Sequence, residues 1–578
     1  MMIVYRKQEQ RVASATCLSR IRTLAEQFGE GGTFTHEAAV ELLIEWGVFE
    51  SAVTDALCPE RDGSRDILHE LRKTGLIVGH IFSASWEGKR EQEEYWGTQL
   101  RSALRKLYFL SIPEMICIRE HEGYAHYGLY PETYLEAAKA FAKEHTRESV
   151  LCIGLRSIGT SLSLAVAAVL EEEGYRVESC TLRPRGDPFD RRILLEHTLE
   201  EVLRSLPYAY VLIIDEGPGM SGSSICCAAQ KLSETGIADT RIVLFPSWEP
   251  DGRNFISERA RERWLRHKKY TAGFEEVLYQ SGKIMGPFSD GTCCNISAGM
   301  WRSLFYEGER DFPAVHPHHE KRKFLCRNHR DLLVKFAGLG RYGRVKFERA
   351  SILADAGFSP PAIGFANGFI ASPFVQGRPL TRDDVSESLL SAVARYLSYL
   401  KKNFTVDRDM QFSEMARMIR RNTYLGLGKE WVHRLRKLGM FRSLFEESPP
   451  VALDGRMLPN EWLLTERGYI KTDTVDHHAD QFFPCCQDIA WDIAGTIIEF
   501  GLDQKGSAYL VERYERMSHD RDIAARLSFY RIAYLAYRLG YATFAARDLG
   551  MQPDGAKFRG LVQQYADLLK KEITILNG

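Results

Sequence analysis

The chain has no stretch of about 18 consecutive apolar residues, so no membrane-spanning helix is expected. It has no Cys-x-x-Cys, which removes the commonest spacing of a structural zinc site. It has almost no net charge: 76 Lys and Arg stand against 77 Asp and Glu, a formal −1. A whole-molecule field that gathers nucleic acid or an anionic membrane is thereby excluded, although local patches are not. The opening MMIVYRKQEQ carries no long apolar core behind its charges, so no secretory leader is expected. There is no internal repeat and no low-complexity tract. The 12 cysteines include adjacent pairs at 226–227, 293–294 and 485–486. They read as reduced thiols of a cytoplasmic protein.

What is present is length and alternation. A chain of 578 residues is too long for one core, and two to four domains are expected. Residues 1–107 carry apolar residues at three- and four-residue spacing, as in HEAAVELLIEWGVFESAV, and read as a helical accessory region. Within 108–283, EMICIREHEGYAHYGLY reads as a pair of short strands. The apolar runs VLCIGL, YRVESCTLRP, VLIID and TRIVLFPS then alternate with helical patterns. That alternation predicts a parallel α/β sheet with right-handed crossovers. Residues 284–299 read as a glycine-rich linker. Residues 300–578 read as an α+β unit, with short strands first and a long helical region after about 380.

Residues 211–224, VLIIDEGPGMSGSS, carry the most chemistry. Four apolar β-formers deliver Asp215 and Glu216 at a strand's carboxyl end, where ligands of parallel sheets bind. Gly219, Ser221, Gly222, Ser223 and Ser224 follow. Small residues there let backbone N–H groups close on a phosphate at the next helix start. Upstream, Arg156-Ser157-Ile158-Gly159-Thr160-Ser161 forms a second strand-to-helix turn suited to an anion. Arg156 has the guanidinium fork for a diphosphate. A plain alternative is a doubly wound domain in which Asp215 caps a helix.

The stretch resembles the phosphoribosyl-diphosphate (PRPP) signature of type I phosphoribosyltransferases. The resemblance implies that Asp215 and Glu216 hold the ribose hydroxyls and that 219–224 wrap the 5-phosphate. It implies that the 156–161 turn takes the diphosphate with Mg²⁺. It also makes LRPRGDPFDRR (182–192) a mobile loop bringing Arg183 and Arg185 to that diphosphate. One departure is visible: Gly222 follows Glu216 by six residues where the family usually has five.

LLVKFAGLGRYGRVKFERASILADAGFSPP (332–361) resembles the small lobe of aminoglycoside and choline phosphotransferases, a protein-kinase-like fold. The resemblance implies that Lys335 meets the phosphates of ATP and that Glu348 on the next helix pairs with it. Asn460 and Asp473 become the Mg²⁺ ligands, with Asp476 a second candidate. Asp454 becomes the catalytic aspartate, one residue out of the family's register. Asp492 anchors the helix that follows. No glycine-rich loop precedes Lys335; the glycines follow it.

HPHHEKRK (316–323) reads as a solvated loop rather than a metal site. The basic stretches Arg253 to Lys269 and Arg417 to Arg442 read as solvated helix faces, so nucleic acid is an unlikely partner. Three readings follow. The first is a PRPP-dependent transferase fused to a kinase-like domain, making a nucleotide-like metabolite from an unknown small-molecule acceptor. The second is a non-catalytic PRPP and nucleotide sensor with a pseudokinase. The third, weakest, is a nucleic-acid-bound protein. Homo-oligomerisation is open under each.

Overall fold

A computed structural model describes residues 2–577 apart from 5–8, 30, 206–207, 220, 254, 256, 290, 328–329, 409, 476 and 483–484. Asp476 therefore lies outside the described residues.

The apolar runs of the first half form a five-stranded parallel sheet. Its spatial order is Arg176–Leu182, Ser149–Leu155, Tyr210–Ile214, Ile242–Phe245 and Lys268–Lys269. In chain order this is 2-1-3-4-5, so the winding direction reverses between Ser149–Leu155 and Tyr210–Ile214. The crevice beyond their carboxyl ends is the topological switch point, where open α/β sheets bind ligands. Val211 to Ile214 are buried on both faces, as expected of a central parallel strand. The segment 182–192 is an antiparallel hairpin, Pro184–Asp187 with Asp190–Ile193.

The N-terminal region is helical, as its periodicity predicts, and it is joined to the sheet by a shared core. Helices His36–Leu57 and Asp66–Glu87 pack on helix Gly159–Glu172. Glycines set that approach. A Cβ on Gly47 would lie 2.7 Å from Ser161 Cβ, and one on Gly79 would lie 2.4 Å from the Leu164 carbonyl oxygen. This close packing carries Ser51 and Asp55 over the 156–161 turn.

The stretch expected to be two strands at 114–130 is one strand, Met115–Arg119, followed by a π-turn, Gly123–Tyr127. The strand pairs with Glu9–Ala13. The turn docks on the second half, where Leu339 N–H donates to the Tyr124 carbonyl at 2.9 Å and Lys346 Nζ to the Ala125 carbonyl at 3.1 Å.

The second half opens with an antiparallel sheet ordered Thr292–Asn295, Lys323–Arg327, Leu332–Phe336, Phe369–Pro373 and Gly364–Ala366. Its first strand lies inside the stretch expected to be a linker. Helix Arg341–Asp355 crosses this sheet, and a hairpin (Trp462–Thr465 with Gly468–Lys471) precedes a helical lobe with its own core. One core cluster joins Trp46 and Phe49 of the N-terminal helices, Ile214 of the parallel sheet, and Phe324, Phe336 and Phe369 of the second sheet. The two halves are packed together through that cluster.

The all-reduced reading of the cysteines needs correction. Cys293 and Cys326 form a disulfide. They face each other directly across two antiparallel strands, a relation that 33 residues of separation conceals in the sequence.

Candidate functional site

The switch point brings the two loops of the first half together. Asp215 and Glu216 leave the strand Tyr210–Ile214 and are partly exposed. Tyr134 Oη donates to the Asp215 carbonyl at 2.7 Å and fixes the backbone there. Both carboxyls lie deep in the crevice, and burial is the largest influence on each. It pushes the Asp215 carboxyl up to about 7, against the pull of the Glu216 and Gly217 backbone N–H groups. It pushes Glu216 up to about 8, helped by the negative charges of Glu122 and Asp215 and opposed by the Gly123 N–H. Two adjacent acids near neutrality, open to water at one end, are suited to accept from a diol.

The residues expected to hold a phosphate lead into the helix Ser223–Glu234, with Gly222 in the left-handed region at φ 58°. The hairpin tip caps them. Ser221 Oγ donates to the Pro188 carbonyl at 3.0 Å and Ser223 Oγ to the same oxygen at 2.6 Å. Gly219 is open: a Cβ added there would have nothing within 4 Å.

The diphosphate side departs from expectation. Arg156 is buried and already paired: its Nε is 2.9 Å from Asp55 Oδ1, and its Nη2 bonds Asp62. Arg183 Nε lies 3.0 Å from the same Asp55 oxygen, and its backbone N–H donates to Asp62 at 2.8 Å. Arg185 Nη2 is 3.0 Å from Asp62. Burial would raise the Asp55 carboxyl, but Arg183 and Arg156 hold it below the usual carboxylate range. The turn's hydroxyls are occupied as well. Thr160 Oγ1 is 2.8 Å from Ser51 Oγ, and Ser161 Oγ is 2.9 Å from Tyr124 Oη. Ser157 holds a positive φ of 136°, a strained value for a residue with a side chain. Two carboxylates of the N-terminal region thus stand among the three arginines assigned to a diphosphate. Sequence reasoning gave that region no chemistry, and only the pairing across some hundred residues discloses it.

In the second half Lys335 sits on Leu332–Phe336, with its Nζ 2.5 Å from Asp473 Oδ1. Glu348 does not take the expected role. Helix Arg341–Asp355 turns Gly343, Lys346, Arg349, Ala350 and Leu353 inward, which places Glu348 on the exposed face. Arg349 takes the inner position instead and donates to the carbonyls of Thr474 at 2.9 Å and Ala452 at 2.7 Å. Of the glycines after Lys335, Gly338 lies against the π-turn Gly123–Tyr127: a Cβ there would be 3.2 Å from the Ala125 carbonyl oxygen.

Asp454 is fully buried. Tyr396 Oη donates to it at 2.7 Å and Lys471 Nζ lies 3.3 Å away. The backbone N–H groups of Asp454 and Gly455 donate to Asp492 at 2.8 Å each, so Asp492 anchors this loop. Asn460 lies in the short helical turn Pro459–Glu461 that leads into the hairpin, and Asp473 follows its second strand. Ligand atoms of Asp454, Glu461 and His477 lie within 4.8 Å of one another, a metal-sized cluster. Lys471, which sequence reasoning passed over, fills it, with its ammonium 2.9 Å from Glu461. Burial and Arg456 oppose a charge on His477, yet Asp473 and Asp454 raise it to about 9.

The histidine loop is not solvated as expected: His316 is buried, bonds Asp548 at 3.0 Å and stacks on His319. In the first basic stretch, Arg263 meets Asp239 at 2.7 Å and Lys268 meets Glu144.

No protein-family model matches the sequence. No curated protein matches it. Solved structures with a similar arrangement include choline kinase LicA from Streptococcus pneumoniae. That match has 12% identity and a TM-score of 0.35, covering 52% of this chain and 99% of that one. A choline/ethanolamine kinase family protein from Mesorhizobium loti has 15% identity and a TM-score of 0.33, over 44% of this chain and 89% of that one. Spectinomycin phosphotransferase APH(9)-Ia, in complex with ADP and spectinomycin, has 13% identity and a TM-score of 0.34, over 51% of this chain and 98% of that one.

Proposed function

We propose that this chain binds a phosphorylated ribosyl compound, PRPP or a ribonucleotide phosphate, in its first half and a nucleotide such as ATP in its second. The observation that carries the first half is positional. The acid pair Asp215–Glu216 and the 156–161 turn flank the one point where the sheet's winding reverses. An acid pair there accepts from ribose hydroxyls, and the start of helix Ser223–Glu234 takes a phosphate. In the second half, Lys335 and Asp473 meet at the mouth of the lobes, and Asp492 holds the Asp454 loop. Asn460 and Asp473 offer the oxygen donors that Mg²⁺ prefers. Asp454 does not fit that ion, because Lys471 already neutralises it. Bound Mg²⁺ would neutralise phosphate charge.

The test is calorimetry with PRPP and Mg²⁺. Binding to the wild-type chain and its loss in Asp215→Asn with Glu216→Gln supports the reading. A wild-type chain that binds neither PRPP nor ribose 5-phosphate refutes it.

Transfer to an acceptor, in the synthesis of a nucleotide-like metabolite, is one outcome of such binding. The second reading, a sensor without turnover, is favoured by one specific observation: Asp55 and Asp62 already neutralise Arg156, Arg183 and Arg185. Diphosphate release measured across a panel of bases separates the two.

A further inference from the structure

The two basic stretches part company in the structure. Cations of the first are paired: Arg263 with Asp239, Lys268 with Glu144 and Lys269 with Glu249. The second, 412–442, carries eight Lys and Arg against two acids, Glu414 and Glu430, in a chain of formal charge −1. Arg417, Arg420, Lys429, Arg434, Arg436 and Lys437 are all exposed, and none forms an ion pair among the described residues. A run of cations without counter-charges raises a local positive field that the neutral total conceals.

The fold turns these cations outward on one side. Helix Phe412–Leu427 buries Phe412, Met415, Met418 and Ile419. Arg417, Arg420 and Tyr424, with Arg421 and Leu425 beside them, recur at three- and four-residue spacing and form a stripe on its opposite face. Beyond Gly428 the chain passes through the short helix Lys429–His433 into the helical turns Arg434–Phe441, which bury Leu435, Leu438 and Phe441. Phe412 of the helix and Phe441 of the turns both pack on Phe529, each at 5.7 Å between ring centroids. The two elements are thus seated side by side on helix Ile523–Leu549, and their outward faces turn away from it together.

Apolar side chains stand among these cations. Tyr424 is 48% exposed, Leu425 41% and Met440 66%. Single exposed apolar residues need no explanation, but these share a face with unpaired charges. The phosphates of a nucleic acid reward the cations and leave the leucine and methionine in water. The boundary between lipid headgroups and acyl chains rewards both. Anionic headgroups meet the guanidinium groups, whose stems lie along the apolar edge, and Leu, Met and Tyr enter that edge.

We propose that the face formed by Arg417, Arg420, Tyr424, Leu425, Arg436 and Met440 docks the helical lobe of the second half on an anionic lipid surface. Each Lys or Arg brought to such a surface adds about fivefold to the affinity. None of these residues belongs to either site proposed above, so the inference stands apart from the ribosyl and nucleotide readings.

The experiment is sedimentation of the full chain with vesicles of phosphatidylcholine alone and of phosphatidylcholine mixed with phosphatidylserine. The wild type should bind the mixed vesicles, ignore the neutral ones, and bind less as salt rises. Arg417→Gln with Arg420→Gln and Arg436→Gln should weaken binding at least about tenfold. Leu425→Gln with Met440→Gln keeps the charge and should weaken it at least about threefold. Arg253→Gln with Arg259→Gln and Arg266→Gln removes as many cations from the first stretch and should change nothing. Thermal melts check that each variant folds. A wild type that ignores the mixed vesicles, or binds the neutral ones equally, overturns the proposal. So does wild-type binding by the folded charge variant or the folded apolar variant, or an equal loss in the first-stretch variant. A chain that binds single-stranded RNA and no vesicle assigns the face to nucleic acid instead. Should the charge variant not fold, the apolar variant and the salt dependence decide on the same terms.

Discussion

Lys471 and Glu461 form a buried ion pair at 2.9 Å, in the place where a cation would be bound by Asp454, Glu461 and His477. The lysine is the cation. Its ammonium also donates to the Asp473 carbonyl at 2.7 Å, so it ties the hairpin to the Asp454 loop. Burial alone would discharge it, but Asp454, Glu461 and Asp473 raise its pKa and keep it charged.

Lys471→Met should therefore cost about 3–5 kcal/mol, because two buried carboxylates lose their counter-charge. Mn²⁺ or Mg²⁺ should recover part of that loss in the variant while leaving the wild type unmoved. Thermal melts with and without millimolar metal read both effects. A variant as stable as the wild type, or one blind to both metals, rules out a lysine in the role of a metal.

Asp55 and Asp62 set a second expectation. Substituting both by Asn keeps their shape and hydrogen-bonding reach but returns net positive charge to Arg156, Arg183 and Arg185. Inorganic diphosphate should then bind at least tenfold more tightly than to the wild type, with affinity falling as salt rises. The same change should lower stability, since Arg156 is buried and Arg183 and Arg185 are half-buried. Calorimetry on the folded double variant reads the affinity. Unchanged diphosphate binding there would show that the carboxylates guard no anion site.

Much of the site was legible because the signals were local. Four apolar β-formers followed by two acids fix a strand end, and the alternation of strands with helices fixes its place in a parallel sheet. The arginine cluster was half legible: the residue types were visible, but Asp55 and Asp62 sit in a helical region whose periodicity says nothing of partners a hundred residues away. Glu348 illustrates a different limit. The inward face of its helix is Gly343, Lys346, Arg349, Ala350 and Leu353, and two charged members hide the apolar stripe that would have set the register. Lys471 was invisible for the same reason. A lysine in a hairpin strand ordinarily snorkels to water, and only the acids of neighbouring segments make its burial tolerable. The π-turn 123–127 replaces a predicted strand because its backbone groups are satisfied by Leu339 and Lys346 of the other half, a tertiary effect that local pattern cannot carry.

The raised acids of the crevice predict a pH dependence. Asp215 and Glu216 titrate near 7 and 8 in the folded chain and near 4 when unfolded. Between those values the folded state binds more protons than the unfolded one, so stability falls as pH rises through the folded values. The loss is complete above about pH 8 and absent below about pH 4. Asp215→Asn with Glu216→Gln should flatten this slope in melts recorded from about pH 5 to 9. A diol with Mg²⁺ should also expel protons at about pH 7, seen as a buffer-dependent heat of binding. A wild-type chain with the variant's pH profile would place the acids at ordinary values.

Gly123 is the most exacting position in the crevice. A methyl there would lie 2.7 Å from Ile158 Cδ1 and 2.8 Å from Glu216 Oε1. The isoleucine tip can swing aside, but the Glu216 carboxylate lies in the buried crevice, so the methyl would press on it. Gly123→Ala should lower stability by about 1–3 kcal/mol, the usual cost of overpacking. It should also weaken ribose 5-phosphate binding at least tenfold. Glu216→Asp shortens the acid and makes room, so it should hurt the wild type but recover stability in Gly123→Ala. A double-mutant cycle in thermal stability measures that coupling directly. A coupling near zero would mean that Gly123 and Glu216 do not press on one another, and the turn would lose its claim to position the acid pair.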